Sequence, residues 1–392
     1  MCPTTAGHRD LCRGVGNWLS VHSRTDARTE SDGDPLLDVS GLVTQFETYR
    51  GTVEALDGVQ LDVREDEIVG IVGESGCGKS VTARSILRLV RDPGRIVEGE
   101  VVYDGRDLLS LSEKEVRTEI RGREIAMIFQ NPTNALNPAF EVGEQIAEVA
   151  REVRGFDEAA ARDRAIELMD DVGIPEAEER YGDYPHEFSG GMKQRVLIAK
   201  SLACRPSLLI ADEPTTALDK TTEAQLLDLI EEMRDEYGLS VLIITHDLRV
   251  ISRLCDRVVV MYAGQTAEVG PTREVINEPV HPYTRGLVKA IPRMGPDQDR
   301  ELESIEGTVQ DLVDPNDGCR FYDRCPLATE DCRVHTPPLE AKRPAHDHHA
   351  ACFEVDVERE ADAGAGTATR TGPETGTGTG TGAGSSRGVD PS

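Results

Sequence analysis

Long apolar runs are missing from this sequence. No stretch of about 18 apolar residues occurs, so we expect no helix that crosses a membrane. The N-terminus, with Cys2, Cys12 and scattered charges, also lacks the continuous apolar region of a secretory signal, and an unexported chain is expected. Positive charge is scarce. The formal net charge is −29 and the isoelectric point lies near 4.7, which argues against a surface that grips nucleic acid or anionic lipid through Lys and Arg. Lysine occurs only at Lys79, Lys114, Lys193, Lys200, Lys220, Lys289 and Lys342. A surface so acidic and so poor in lysine suits a cytosol of high salt, where screening removes most self-repulsion. Self-similarity at a solenoid period is absent, which excludes a repeat array. Disulfides are not expected of the nine cysteines in an unexported chain, so any cluster among them is tested first as a metal site.

What is present changes character at Leu36. Residues 1–34 mix Gly, Ser, Thr, Asp and Arg without periodicity and read as a disordered leader. "LLDVSGLVTQF" and "VEALDGVQLDV" then alternate like strands, and "EIVGIVG" (67–73) is a short apolar run that stops at glycine. "SVTARSILRLV" has helical spacing, and three more apolar strand candidates follow: "IAMIF" (125–129), "SLLIA" (207–211) and "VLIIT" (241–245). Strands alternating with helices predict an α/β fold with a parallel sheet covered on both faces. Between "IAMIF" and "SLLIA" lies a helical insertion, about residues 135–195, with "VGEQIAEVAREV" and "AAARDRAIELMDDVG" as its clearest helices. "RVVVMYAGQTAEVG" (257–270) predicts a hairpin turning at Ala263-Gly264. Beyond Pro271 the chain is Pro-rich and cysteine-bearing, and from about Glu354 it passes into "GTGTGTGAGSS", a flexible tail.

"GESGCGKS" (73–80) matches G-x-x-x-x-G-K-S and follows a strand and precedes a helix, as a phosphate loop must. Gly73, Glu74, Ser75, Gly76, Cys77 and Gly78 would wrap backbone N–H groups around the phosphates of ATP, Lys79 would reach the β and γ oxygens, and Ser80 would ligate Mg²⁺. Cys77 reads as a small filler. "SLLIADEP" (207–214) ends a buried strand on two carboxylates with different tasks. Asp212 would hold Mg²⁺ through water, and Glu213 would orient and deprotonate the attacking water. "ITHD" places His246 at the same sheet edge, where an imidazole could contact the γ-phosphate. "FQNP" adds Gln130, again where α/β sheets bind ligands, as a further catalytic candidate and Mg²⁺ ligand.

"EFSGGMKQR" (187–195) sets Ser189, Gly190 and Gly191 at the start of another helix, a second anion site in a chain that already holds a triphosphate elsewhere. The redundancy disappears if this site caps the γ-phosphate of a nucleotide bound to another subunit. Two such domains would then meet head to tail with ATP between them.

With these residues in hand, the sequence resembles the nucleotide-binding subunits of ATP-binding cassette transporters over roughly residues 36–285. It carries in the family's order "GESGCGKS", the glutamine of "FQNP", "FSGGMKQR", "LLIADEP", "TALD" and "ITHD". The resemblance implies a P-loop cassette with an antiparallel β subdomain and a helical subdomain over residues 35–285. It implies that Asp219 belongs to a loop communicating across the dimer, and that an aromatic upstream of the phosphate loop stacks on adenine, Tyr49 being our choice and Phe46 the alternative. Phe188 and Met192 depart from the usual signature without touching its Ser-Gly-Gly contact. "FQNPTNALNP" and "HPYTRGLVKAIP" (281–292) look like the oligopeptide and dipeptide importer ATPases, some of whose relatives import nickel. That implies a peripheral subunit at the cytoplasmic face, docked on two membrane-spanning permeases through Gln130 and the helical insertion. A second, non-identical ATPase and an extracytoplasmic solute-binding protein complete the implied assembly. No nucleic-acid partner is expected.

Cys319, Cys325, Cys332 and Cys352 lie in a polar, Pro-rich extension, residues 286–353, with little apolar material to bury them. Zn²⁺ would satisfy four thiolates, with His346, His348 or His349 able to replace one, although the short C-x2–4-C knuckle is absent. The pattern also resembles the C-terminal extension of peptide-importer ATPases, where such cysteines go with a [4Fe–4S] cluster. Sulfur-only ligation suits that cluster, and it is the favoured occupant.

Overall fold

The computed structural model describes residues 34–130, 135–216, 218–290, 305–315, 317–343 and 346–355. The expected leader, apart from Asp34, and the expected tail beyond Val355 lie outside the described residues, as does Ala217 of "TALD". The first strands are β1 (Leu37–Thr48), β2 (Gly51–Val63), β3 (Ile68–Val72), β4 (Gly94–Tyr103) and β5 (Arg106–Asp107). They are followed by β6 (Ile125–Ile128), β7 (Leu208–Asp212), β8 (Ser240–Thr245), β9 (Arg257–Tyr262) and β10 (Gln265–Pro271). Two short strands close the series, β11 (Glu340–Arg343) and β12 (His348–Ala350).

An eight-stranded sheet runs β11-β12-β10-β9-β3-β8-β7-β6, and a four-stranded sheet runs β2-β1-β4-β5. The pairs β9-β3, β3-β8, β8-β7 and β7-β6 are parallel. Strands β3, β7, β8 and β9 are buried throughout, as near-continuous Val, Ile and Leu runs must be when both faces of a sheet are covered. Alternation along each strand divides the core. Ile68 and Val72 of β3, with Leu209, Val241 and Ile243, join the cluster under the helical region. Val69 and Ile71, with Ile210 and Leu242, join Leu42, Leu56 and Val59 of the four-stranded sheet.

The insertion folds as expected, with helices Val142–Arg154 and Glu158–Asp171 packed against Gly190–Leu202. The hairpin of β9 and β10 turns at Ala263 and Gly264, both with positive φ (46° and 86°), the geometry of a tight two-residue turn. The C-terminal extension adds β12 antiparallel to β10 and β11 antiparallel to β12. Its anchor is a buried pair: His348 Nε2 lies 2.6 Å from Glu268 Oε1. The Glu268 carboxylate also accepts the N–H groups of Val280 (2.7 Å) and His281 (2.8 Å).

A bidentate ion pair ties the two sheets together. Arg257 at the start of β9 donates to both carboxylate oxygens of Asp62 on β2, at 2.7 and 2.8 Å. Burial opposes the Asp62 charge, but the Arg257 hydrogen bonds and positive charge outweigh it and hold the carboxyl below its ordinary value. A depressed folded value makes this contribution complete above the unfolded value of about 3.9 and removes it as pH falls through the lower folded one. Asp62→Asn should therefore lower the melting temperature at neutral pH, with the gap from wild type closing below about pH 4. Melts of both proteins across that range check it.

Candidate active site

Strand β3 ends at Val72, and the loop 73–78 turns into the helix Lys79–Ile86, capped by Gly78 at φ 103°. A side chain at Gly78 would meet the Ala55 carbonyl oxygen at 2.7 Å, so both the conformation and the space require glycine there. Lys79 is buried and donates to the carbonyls of Gly73 (2.8 Å) and Glu74 (2.9 Å), folding its ammonium back over the loop. Cys77 is fully buried, and burial pushes its thiol pKa up, in keeping with a filler role. Ser80 Oγ donates to Asp212 Oδ1 at 2.8 Å. Burial raises the Asp212 pKa, with the Ser80 hydrogen bond opposing, and its Oδ2 is a buried oxygen with no hydrogen-bond partner. A hydroxyl beside a carboxylate whose second oxygen is unpaired fits Mg²⁺, which when bound neutralises phosphate charge.

Glu213 follows β7 in the left-handed region, φ 48°, held by its N–H bond to the Ile244 carbonyl at 2.8 Å. A non-glycine residue in that region stores strain that persists where the surroundings fix it. Three groups converge on its carboxylate: Gln130 Nε2 (2.9 Å), Thr216 Oγ1 (2.8 Å) and His246 Nδ1 (3.2 Å). Burial opposes ionisation of Glu213, but these hydrogen bonds outweigh it and hold its pKa below the ordinary value. The carboxylate is thus ionised at neutral pH and aimed, as a general base requires. Thr216 was missed in the sequence; its position three residues after Glu213 was the signal that could have found it.

The structure gathers Lys79, Ser80, Gln130, Asp212, Glu213 and His246 at the C-terminal ends of β3, β6, β7 and β8. The loop 73–78 leads into Lys79, whereas Ser189, Gly190, Gly191 and Asp219 lie at the starts of two other helices. Ser189 is exposed and caps its own helix, Gly190–Leu202, accepting the Met192 N–H at 3.3 Å. Gly191 faces Thr222, whose Cγ2 would sit 2.5 Å from an added Cβ. Asp219 caps the helix Lys220–Tyr237 through the N–H groups of Thr221 and Thr222. The Thr222 hydroxyl and those N–H groups hold its carboxyl below the ordinary value. Tyr49 is 99% exposed, whereas Phe46 is wedged against Gly94, where an added Cβ would meet its ring at 2.4 Å.

The four C-terminal cysteines are free thiols, and burial raises the pKa of Cys319 to about 11 and lifts those of Cys325 and Cys352 as well. Among the described residues, no group of three or more His, Cys, Asp or Glu is placed to hold a metal. The geometry therefore supports neither the expected [4Fe–4S] cluster at Cys319, Cys325, Cys332 and Cys352 nor its zinc alternative. The histidines offered as substitutes are engaged with carboxylates: His346 with Glu274 at 2.7 Å, His348 with Glu268 at 2.6 Å and His349 with Asp347 at 3.7 Å.

Comparison with known proteins joins this geometry to a family. Residues 56–216 match the family described as "ABC transporter", and residues 267–332 match "Oligopeptide/dipeptide transporter, C-terminal region". The chain is 48% identical over 321 residues to the "Probable peptide ABC transporter ATP-binding protein y4tR" of Sinorhizobium fredii, covering 82% of this chain and 95% of that one. The chain belongs to the ABC transporter ATPases. It is also 45% identical over 332 residues to the oligopeptide transport ATP-binding protein OppD of Salmonella typhimurium, covering 85% and 97% of the two chains. The dipeptide transport ATP-binding protein DppD of Bacillus subtilis is 47% identical over 294 residues, covering 75% and 87%.

Among solved structures, the ABC cassette MJ0796, bound to ADP and Pi as a dimer after hydrolysis, aligns with TM-score 0.54 and 29% identity over 60% of this chain and 99% of that one. The cassette cbiO1 of Clostridium perfringens aligns with TM-score 0.55 and 29% identity, covering 63% and 92%. This ABC ATPase hydrolyses ATP. Among the described residues, no helix is long and apolar enough to cross a membrane.

Proposed function

We propose that this ABC ATPase energises the import of di- and oligopeptides through a membrane complex, as a peripheral subunit at its cytoplasmic face. The observation that carries the reading is the hydrogen-bond cluster on Glu213 beside the Ser80–Asp212 pair, joined in one chain to the match at residues 267–332. ATP fills the loop 73–80, with Tyr49, the more exposed of the two aromatics, stacking on adenine. Ser189, Gly190 and Gly191 stand apart from that loop at an exposed helix start, which supports their capping the nucleotide of a second, non-identical ATPase, with Asp219 nearby in the contact. Closure of the two subunits on ATP, and their release after hydrolysis, would drive two permeases supplied by an extracytoplasmic binding protein.

A groove lined by Leu89, Gly122, Met127, Phe129, Val149 and Leu197 lies between β6 and the helical region, immediately before Gln130. Phe129 is half exposed there, which supports docking of an apolar permease segment. Movement in that groove would reach Glu213 through Gln130. The acidic, lysine-poor composition supports a high-salt cytosol as the setting.

The test is uptake of labelled dipeptides, longer peptides and nickel ions by cells lacking this chain. Peptide uptake should be lost and restored by wild type but not by Glu213→Gln. Loss of nickel uptake alone would make the chain a nickel-importer ATPase instead.

A further inference from the structure

The segment bearing Cys319 and Cys325 reaches the nucleotide loop through one side chain. Arg324 donates to both carboxylate oxygens of Glu74, at 2.8 and 3.0 Å, across a sequence separation of 250 residues. The arginine itself is fixed. Its Nε donates to the Glu306 carbonyl at 2.9 Å, its Nη2 to the Ile305 carbonyl at 3.2 Å and its Nη1 to the Tyr262 hydroxyl at 3.3 Å, with only 5% of the side chain exposed. A second contact fastens the same loop residue: the Glu74 N–H donates to the hydroxyl of Tyr283 at 3.0 Å, and Tyr283 is fully buried. Four residues before Arg324, Arg320 bonds the carboxylates of Glu54 (2.6 Å) and Asp57 (2.8 Å) and the carbonyl of Ala263 (2.8 Å), bracing the stretch of β2 against which Gly78 packs.

The charge arithmetic of the loop gives this contact a purpose. Glu74 is the second residue of a loop that must receive a polyanion, and its carboxylate opposes the charge of Lys79. An unpaired carboxylate a few ångströms from a triphosphate repels it, and inside a partly dry site that repulsion is poorly screened. A bidentate guanidinium cancels the charge and fixes the carboxylate's direction.

We propose that Arg324 is a positioning residue for the nucleotide loop: by neutralising and orienting Glu74, it lets the C-terminal segment set the affinity of the ATPase for its nucleotide. The inference rests on nucleotide binding at residues 73–80 and on no metal at the cysteines.

The experiment is calorimetric titration of the full chain with MgADP, which occupies the loop without requiring a second subunit. Arg324→Met should weaken binding about tenfold, the size expected when one member of a coupled charge pair is removed. The Arg324→Met/Glu74→Gln double variant should bind as Glu74→Gln alone does, with no further loss from removing Arg324, because the uncompensated charge is gone. A double variant that falls below Glu74→Gln by the factor that separates Arg324→Met from wild type, or an Arg324→Met protein that binds like wild type, overturns the proposal. A general structural defect is separated by melting. Should Arg324→Met lose the wild-type transition, Arg324→Lys replaces it, with a smaller loss that must still vanish in the Glu74→Gln background. Lys79→Ala serves as the control for the site itself: if it binds MgADP like wild type, nucleotide binding at this loop is wrong, whatever Arg324 does.

Discussion

Replacing Glu213 by Gln should lower ATP turnover by a factor of about 10² to 10⁴, the range contributed by a positioned general base, while leaving nucleotide affinity near wild type. The asymmetry follows from the geometry. In the proposed site, binding is carried by the loop 73–80, Lys79 and the Ser80–Asp212 pair, none of which the substitution touches. Gln retains the size of Glu and can still accept from Gln130 and Thr216, so the loop after β7 keeps its shape, but an amide has no carboxylate to take a proton from water. The measurement is single-turnover phosphate release from MgATP together with a direct affinity determination. Wild-type turnover in the variant would remove Glu213 from the chemistry, and a joint collapse of affinity and rate would mean that it holds the site together instead. His246→Ala should fall between the two, because it removes one of three groups on the carboxylate.

Replacing Glu268 by Leu should cost about 3–5 kcal/mol of stability, the penalty seen when one member of a buried, hydrogen-bonded pair is deleted. Both Glu268 and His348 are fully buried, and Nδ1 of His348 already has no partner, so losing Glu268 leaves the whole imidazole unsatisfied. The N–H groups of Val280 and His281 lose their acceptor at the same time. The damage falls on the seam where β12 adds to β10, so the melting transition should drop and proteolytic cutting should begin near residues 340–350. Thermal melts with limited proteolysis check it. An unchanged transition would show that the seam is held by the strand pairing alone.

How much of this could be read in the sequence depends on how far apart the partners lie. The phosphate loop, the Asp212-Glu213 pair and the hairpin turn at Ala263-Gly264 are local patterns, and the buried strands around them announce themselves as short apolar runs. β4 was not anticipated, because "GRIVEGEVVY" is largely exposed and interrupted by charge. β11 and β12, "EAKR" and "HHA", carry no apolar signal at all; their place comes from an available edge on β10 and from one buried hydrogen-bonded pair. Arg324 on Glu74 is beyond any local pattern, since nothing near either residue names the other. The cysteine spacing suggested ligands, but among the described residues no group of three or more His, Cys, Asp or Glu is placed to hold a metal, and the nearby histidines are engaged with Glu274, Glu268 and Asp347.

The most direct test of the account is phosphate release by the assembled membrane complex in sealed vesicles, with and without peptide on the side from which it is imported. The account predicts release that rises with peptide, is accompanied by peptide accumulation in wild type, and vanishes together with accumulation in the Glu213→Gln complex. Phosphate release that ignores peptide, or peptide accumulation that continues in the Glu213→Gln complex, would contradict it.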